Sequence, residues 1–207
     1  MIDELKKHFD KPLFFLIDDR FEGLAEVLLY KGLRFIRKTD VIMIRPQKRV
    51  VLANNRRVTP ISEITNDSIL MTSLFELAKR IYSETHSDNP VGDFPNVSWE
   101  SIIMDDLNVD NSYVVVNDTE VIAFSFMYPV DKDKWELGWL GVEDLAELTL
   151  LDEMIAIQIQ DAAKSGIKSI EKEIDSTCPY SKHIVDSLSY EVIEILNAFM
   201  SKTRVSS

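Results

Sequence analysis

The stretch from Lys134 to Gly166 constrains this chain most, because it joins an apolar strand to a long amphipathic helix. The strand ends at Gly141-Val142, an acidic connection follows, and Gly166 ends the helix. A strand that leads into a helix N-terminus is a common anion site in α/β proteins, since free backbone N–H groups and the positive end of the helix dipole meet there. We therefore expect the rest of the chain to be arranged around this connection.

The N-terminal part of the chain predicts a β-α-β-β segment. An apolar run at 13–17 is typical of a strand, and apolar residues at helical spacing follow from Phe21 until Gly32. Two further short strands are expected at 33–36 and 39–44, before Pro46. This order of elements makes the segment a sheet-forming unit.

A boundary is predicted near residues 47–56, where charged residues surround the turn signal Asn54-Asn55. The chain is thus expected to divide into an N-terminal segment, residues 1–50, and a main domain, residues 51–207. With 207 residues and 45% hydrophobic residues, it can bury a substantial core.

The main domain alternates between strand and helix patterns. Its expected elements are a strand at 57–61, a helix at 68–85, a loop at 86–97, a short helix at 99–107 with Ser98 as N-cap, hairpin strands at 113–116 and 121–128, a strand at 135–142, a helix at 150–163, a strand at 167–174, a short helix at 180–188, and a last strand or pair of strands at 190–200. This order predicts a mixed α/β fold with a mostly antiparallel sheet flanked by helices.

The acidic balance limits the classes of partner. Lys+Arg 23 against Asp+Glu 35 gives a formal charge of -12, which argues against nucleic acid and against an anionic membrane surface. A small-molecule or peptide amine would suit this charge, although solubility alone also explains it. The single cysteine, Cys178, cannot form an internal disulfide, and the N-terminal apolar run is too short for a signal peptide or a membrane span. We therefore expect a cytoplasmic protein.

Several features together resemble the Gcn5-related N-acetyltransferase family, which has the acyl-CoA N-acyltransferase fold. They are the element order, Leu140-Gly141-Val142 at the end of the central strand, the helix that ends at Gly166, and Leu188-Ser189-Tyr190 near the C-terminus. The resemblance covers roughly residues 57–200. It implies a sheet that opens between the strand ending at Val142 and the next strand. The pantetheine arm of acetyl-CoA would lie in that opening, against the backbone of Leu140, Gly141 and Val142.

The loop that would bind the cofactor's pyrophosphate departs from the family pattern. Family members carry Gln/Arg-x-x-Gly-x-Gly/Ala, whereas this chain has Glu147-Leu148-Thr149-Leu150-Leu151-Asp152. Glycines let the backbone approach phosphates, and carboxylates at a helix N-terminus repel an anion while stabilising the helix by about 0.3–1 kcal/mol each. Acetyl-CoA is the cofactor that the resemblance implies. Here only the backbone at Leu148, Thr149 and Leu150 could hold its pyrophosphate.

The candidate catalytic residues follow from the same resemblance. Glu136 lies six residues before Val142, where histone-type members carry their general base; the alternative is a solvent-facing strand residue. The position of the family's general-acid tyrosine falls on Val185, so Tyr180 or His183 would have to replace it, unless both are structural. Cys178 is interpreted as a structural thiol, and the scattered histidines predict no metal site.

The N-terminal segment also echoes the end of the chain. Residues 28–36 are similar to residues 185–193, and Met43 then corresponds to Met200. Residues 13–47 therefore resemble a second copy of the fold's closing β-α-β-β portion, although chance similarity of two amphipathic segments also explains the match. Such a segment could pack beside the main sheet or complete a partner's sheet, as in a homodimer.

Two hypotheses follow from the sequence. The first is an acetyl-CoA-dependent N-acetyltransferase that acts on an amine, with Glu136 as base or water-orienting group. The second is a non-catalytic protein that keeps the same fold as a binding or assembly module. The altered loop and the missing tyrosine favour the second hypothesis, whereas Glu136 and the loop at 86–97 favour the first.

Overall fold

The computed structural model describes residues 2–8, 11–47, 58–89 and 94–202. The helices in these ranges are α1 (Ile2–His8), α2 (Glu22–Tyr30), α3 (Ser68–Thr85), α4 (Asn96–Met104), α5 (Thr149–Lys164) and α6 (Pro179–Ser187). The strands are β1 (Phe14–Asp18), β2 (Leu33–Ile44), β3 (Val58–Pro60), β4 (Tyr113–Asn117), β5 (Glu120–Asp131), β6 (Lys134–Val142), β7 (Ser169–Asp175) and β8 (Glu191–Ser201). None of the helices in these ranges combines the length and apolar character that a membrane crossing requires.

All of these strands lie in one sheet, in the order β1-β8-β2-β7-β6-β5-β4-β3. Only β6 and β7 are parallel neighbours; the other described pairs are antiparallel. Helices α3 and α5 cover opposite faces. Ser125 of β5 bonds Gln158 of α5, whereas Gly141, paired with the adjacent Phe124, lies against Ile81 of α3. The predicted mixed α/β fold, with a mostly antiparallel sheet flanked by helices, is therefore confirmed.

Local chemistry explains the helix ends. The Asp67 carboxylate accepts hydrogen bonds from the backbone N–H groups of Ile69 and Leu70, so α3 begins at the predicted residue. Gly32 and Gly166 have φ values of 76° and 79°, in the left-handed region that lets a chain leave a helix without steric strain. The breaks that glycine predicted after α2 and α5 are thus observed.

The two short strands expected at 33–36 and 39–44 are in fact one strand, β2. The pairing with β8 shifts by one residue between Phe35 and Arg37, so that Ile36 is left out of the register. A β-bulge bends a strand without ending it, so the chain continues through Arg37 and Lys38 as one strand. The last strand, β8, is likewise a single strand.

Helix α4 begins earlier than predicted. It starts at Asn96, after Pro95 in extended conformation, and ends at Met104, so Ser98 lies inside the helix and is not its N-cap. Proline fixes φ at a helical value and suits a helix entrance, which outweighs the capping preference of serine. Helix α1 was not predicted. The expected boundary at 47–56 lies mostly outside the described residues.

The half of the sheet formed by β1, β8, β2 and β7 has an internal pseudo-two-fold symmetry. Phe14 of β1 pairs with Met200 of β8, and Glu171 of β7 pairs with Met43 of β2. Glu171 lies 157 positions after Phe14, and Met200 lies 157 positions after Met43. The same offset relates α2 to α6, and it relates the two register shifts at Ile36 and Ile193. Strand β2 therefore lies between β7 and β8, and the N-terminal segment is part of the continuous sheet.

Candidate functional site

The sheet opens between β6 and β7. These parallel strands pair at three positions only, which end with Glu136 opposite Glu171. Beyond this point residues 137–142 and 172–175 have no pairing with each other, so the two strands diverge. We call this gap the opening. It lies at the carboxyl ends of two parallel strands, where open α/β sheets usually bind ligands.

The edge of β6 presents backbone groups to the opening. The N–H group of Glu143 donates to Ile122 O, and in an antiparallel pair every second residue faces the neighbouring strand. Leu140 and Val142 consequently turn their N–H and C=O groups away from β5 and toward the opening. The Tyr180 hydroxyl donates to Val142 O over 3.3 Å, in agreement with this orientation.

A cavity of about 90 Å³ lies in the opening on the side of α3. Its walls come from α3, β5, β6, β7 and the start of α6. Small-molecule sites usually measure about 300–1,000 Å³, so the cavity fits the reacting end of a ligand but not an entire large one. Its lining residues are Ala78, Ile81, Tyr82, Thr85, His86, Phe124, Trp139, Leu140, Lys172, Glu173, Asp175, Cys178, Tyr180 and Ser181.

Ionisable groups are concentrated on the β7 side of the cavity. Glu173 is an exposed residue, like Glu136, but partial loss of hydration at its carboxyl group raises the pKa of that group, and the nearby Asp175 raises it further. Burial lowers the pKa of His86, whose Nε2 lies 3.8 Å from an Asp175 carboxylate oxygen. A carboxyl group with a raised pKa and a mostly neutral imidazole that line the same cavity are suited to proton transfer.

The N-terminal segment contributes to this side of the cavity. From β2, Arg37 Nε lies 3.1 Å from the Asp175 carboxylate and the Thr39 hydroxyl donates a hydrogen bond to it. Both contacts hold the carboxylate that faces His86. The segment that the sequence analysis separated from the main domain therefore supports the cavity directly.

Aromatic rings form the α3 side of the cavity. The Tyr82 ring stacks on His86 with centroids 3.9 Å apart, and it contacts Trp139 at 4.7 Å and Trp99 at 5.4 Å. Aromatic faces attract cations, and the carboxylates of Glu173 and Asp175 lie on the same cavity. This combination is suited to a cationic amine.

The predicted catalytic residues occupy three different environments. Glu136 is exposed on β6 at the entrance to the opening, where its charge raises the pKa values of Tyr128 and Glu173. Tyr180 is buried in the cavity wall, and burial raises the pKa of its hydroxyl. His183 lies on α6 outside the cavity lining, with Nε2 2.9 Å from Asp152 of α5.

The predicted cofactor residues also separate into two groups. Leu140 and Val142 present backbone groups to the opening, whereas Gly141 is packed against α3, since an added Cβ would lie 2.5 Å from Ile81 Cδ1. At the start of α5, the N-cap residue Leu148 is half-buried, Thr149 is exposed and the Leu150 side chain is in the core.

The loop after β6 is stabilised by its own acidic residues. The Asp144 carboxylate accepts from Ala146 N at 2.9 Å, and Glu147 N donates to Asp144 O. Glu143 pairs with Arg80 at 3.4 Å. The backbone edge of β6 in the opening therefore fits the pantetheine arm of an acyl-CoA. The loop does not fit the pyrophosphate group, because it carries carboxylates where cations or glycines would be needed to bind an anion.

The sequence does not single out Tyr82, Trp139, Lys172, Glu173 or Asp175 as site residues, whereas His86 begins the predicted loop at 86–97, which favours the enzyme hypothesis. The pattern at 167–174 predicts a strand and no site. The available signal was the run of charged residues Glu171, Lys172 and Glu173 within this strand. Among the described residues no cluster of metal-ligating side chains is present.

The fold and the opening define the class of the structure, which is the acyl-CoA N-acyltransferase fold of the Gcn5-related N-acetyltransferases. Among solved structures, an N-acetyltransferase of this family from Sphaerobacter thermophilus matches 95% of the chain with a TM-score of 0.66 and 13% identity. One from Kribbella flavida matches 97% with a TM-score of 0.59 and 16% identity. At such identities the likeness shows the fold alone.

A third similar structure is the N-myristoyltransferase of Saccharomyces cerevisiae with bound myristoyl-CoA, at a TM-score of 0.54 and 14% identity over 81% of this chain. The chain spans 61% of the Sphaerobacter protein, 73% of the Kribbella protein and 48% of the myristoyltransferase. Neither a scan against protein-family models nor a search of curated proteins finds a match.

Proposed function

We propose that the chain is an N-acyltransferase that takes an acyl group from an acyl-CoA thioester and transfers it to a cationic amine. The observation that carries this proposal is the opening between β6 and β7, in which backbone groups of β6 face a cavity lined by a carboxyl group of raised pKa. The fold shared with acetyltransferases and with a myristoyl-CoA-bound enzyme supports it.

The acyl donor would be recognised mainly through its pantetheine end. Leu140 and Val142 offer backbone groups along β6 that can pair with the amides of the arm, as a β-strand would. The loop with Asp144 and Glu147 adds negative charge near the place of the pyrophosphate. The nucleotide end of the donor is therefore expected to contribute little affinity.

The acceptor amine would enter from the side of Tyr82, His86 and Trp139, whose rings attract its positive charge. Glu173 is the proposed base, because a raised pKa suits removal of a proton from an ammonium group. Tyr180 is the proposed acid for the leaving thiolate, since its hydroxyl stays protonated at neutral pH and lines the same cavity. Glu136, at the entrance, is the alternative base.

Two glutamine variants separate the candidate bases. In a coupled thiol-release assay with acetyl-CoA and a panel of primary amines and polyamines, Glu173→Gln should lower kcat by about 10²–10⁴-fold. Glu136→Gln, the matched control with the same change of charge, should retain most activity. The opposite result would make Glu136 the base, and full activity in both variants would remove carboxylate catalysis from the proposal.

Calorimetric titration tests donor recognition. Acetyl-CoA and S-acetylpantetheine are expected to bind with affinities within a few-fold of each other. Glu147→Arg should improve acetyl-CoA binding only, by about 0.3–1 kcal/mol or more per charge changed. The same change at Glu22 on distant α2 is the control and should alter neither affinity. A large preference of the unmodified protein for acetyl-CoA would contradict the reasoning about the loop.

A non-catalytic binding or assembly module is the second candidate. It is favoured by a specific observation: side chains of the protein already bond two carbonyl groups of the β6 edge, with Lys172 on Gly138 O and Tyr180 on Val142 O. Absence of binding by either thioester at millimolar concentration would support this candidate and overturn the acyltransferase proposal.

A further inference from the structure

Lys172 crosses the opening from β7 to β6. It follows Glu171, the last residue of β7 that pairs with β6, and its Nζ donates to Gly138 O over 2.8 Å. The side chain lines the same cavity as Glu173 and Tyr180. Lysine is seldom found in such a place unless a carboxylate pairs with it, yet the Lys172 amine here donates to a neutral carbonyl group.

The surroundings favour the neutral amine. Burial lowers the pKa of Lys172, although Cys178 and the carboxylates of Glu173, Glu136 and Asp175 oppose this effect. A neutral, desolvated lysine amine is a nucleophile, as in enzymes that form lysine adducts. Lys168, by contrast, lies just before the same strand with a side chain that is 74% exposed, and its ion pair with Asp133 raises its pKa.

We propose that Lys172 is itself an acyl acceptor, so that the chain acylates its own opening at this residue. The inference rests on the proposed function, because the thioester must enter the opening along β6. Lys172 Nζ attacks the thioester carbonyl carbon, a C–N bond forms and the C–S bond breaks. The proton that Nζ loses ends on the leaving sulfur, which gives an amide on Lys172 and a free thiol without any redox step.

The position of Nζ limits the reaction to one acyl group per chain. The amide would remain between β6 and β7, in a cavity of about 90 Å³ that has little room for a second thioester. Acylation would also convert the basic amine of Lys172, which donates to Gly138 O, into an amide. Self-acylation at Lys172 therefore competes with transfer to an external amine and closes the opening.

Peptide mapping by mass spectrometry tests this inference on the full chain. The protein is incubated at about pH 7 with S-acetylpantetheine or acetyl-CoA, without an amine acceptor. Because a lowered pKa increases the neutral fraction of an amine at this pH, Lys172 should be acetylated several-fold faster than exposed Lys168. Lys172→Arg should abolish the single acetylation, whereas Lys168→Arg should not affect it.

A second reagent separates the possible failures. Succinimidyl acetate acylates accessible neutral amines without needing a donor site, and calorimetry reports thioester binding independently. If a thioester binds but Lys172 stays unmodified, the inference is overturned while the proposed function stands. If no thioester binds or reacts, both are overturned, even where succinimidyl acetate labels Lys172. Equal labelling of Lys168 and Lys172 by the thioester would mean unspecific chemistry and would also overturn the inference.

Discussion

Strand β6 packs closely against α3 at Gly141, next to Ile81. Replacement of Gly141 by alanine tests this packing. An added Cβ would lie 2.5 Å from Ile81 Cδ1 and 3.0 Å from Ile81 Cγ2. Cβ atoms do not approach other heavy atoms to 2.5 Å, so α3 or the Ile81 side chain must move. Both residues are buried, and Ile81 also lines the cavity.

The magnitude follows from two opposing effects. Overpacking of a core costs about 1–3 kcal/mol, whereas a glycine-to-alanine change in a tolerated backbone conformation stabilises by about 0.4–1 kcal/mol through the unfolded state. Gly141 has no positive φ, so the second effect applies. We expect Gly141→Ala to lower the free energy of unfolding by about 1–2 kcal/mol, or Tm by about 2–8 °C for a chain of this size.

A double-mutant cycle by urea unfolding isolates the contact. Ile81→Val removes Cδ1, the nearest atom, and by itself should cost about 0.5–1.5 kcal/mol. The double variant should be more stable than the sum of the single effects predicts, by about 1 kcal/mol. Gly23→Ala on α2, where an added Cβ meets nothing within 4 Å, is the control and should be stabilising by about 0.5–1 kcal/mol. Additive effects at Gly141 and Ile81 would refute the argument.

Two further predictions concern the layers around the cavity. Gln158→Leu should lower the free energy of unfolding by about 2–4 kcal/mol in urea titrations, because the change removes three hydrogen bonds of a buried side chain. Gln158 Nε2 donates to Asn111 O and Ser125 O, and Ser125 Oγ donates to Gln158 Oε1. A loss below about 0.5 kcal/mol would contradict this prediction. Burial lowers the pKa of His86, so the unfolded chain takes up a proton that the native state resists, and stability should fall as pH drops below about 6.5. His86→Phe should lose less stability between about pH 7 and pH 5, and an unchanged pH dependence would contradict this reasoning.

The sequence was sufficient for elements with strong periodicity and clear end signals. Helix α3 was predicted residue for residue, because its apolar spacing is regular and Asp67 and Ser68 mark its start. The strand and helix around Gly166 were also predicted within a residue or two. Where a bulge or a proline modifies the local rule, as in β2 and before α4, the prediction was wrong.

The candidate site could be predicted only in part, because its residues come from distant parts of the chain. His86 ends α3, Glu173 lies on β7, and only tertiary folding brings them to one cavity. Glu136 illustrates a second reason. The register of β6 against β5 shifts between Leu137 and Leu140, so counting in steps of two from Val142 does not give the face on which Glu136 lies.

The pseudo-two-fold symmetry separates residues that build the sheet from residues that line the cavity. At the offset of 157 positions, Ile17 corresponds to Ile174 and Asp18 to Asp175, and these pairs have the same place at the end of β1 and β7. Phe15, Leu16 and Gly23, however, stand where the cavity has Lys172, Glu173 and Tyr180. The sheet can therefore form without an amine, a carboxyl or a phenol at these positions. Their presence on β7 and α6, and not at the equivalent positions of β1 and α2, agrees with the roles proposed for them in the opening.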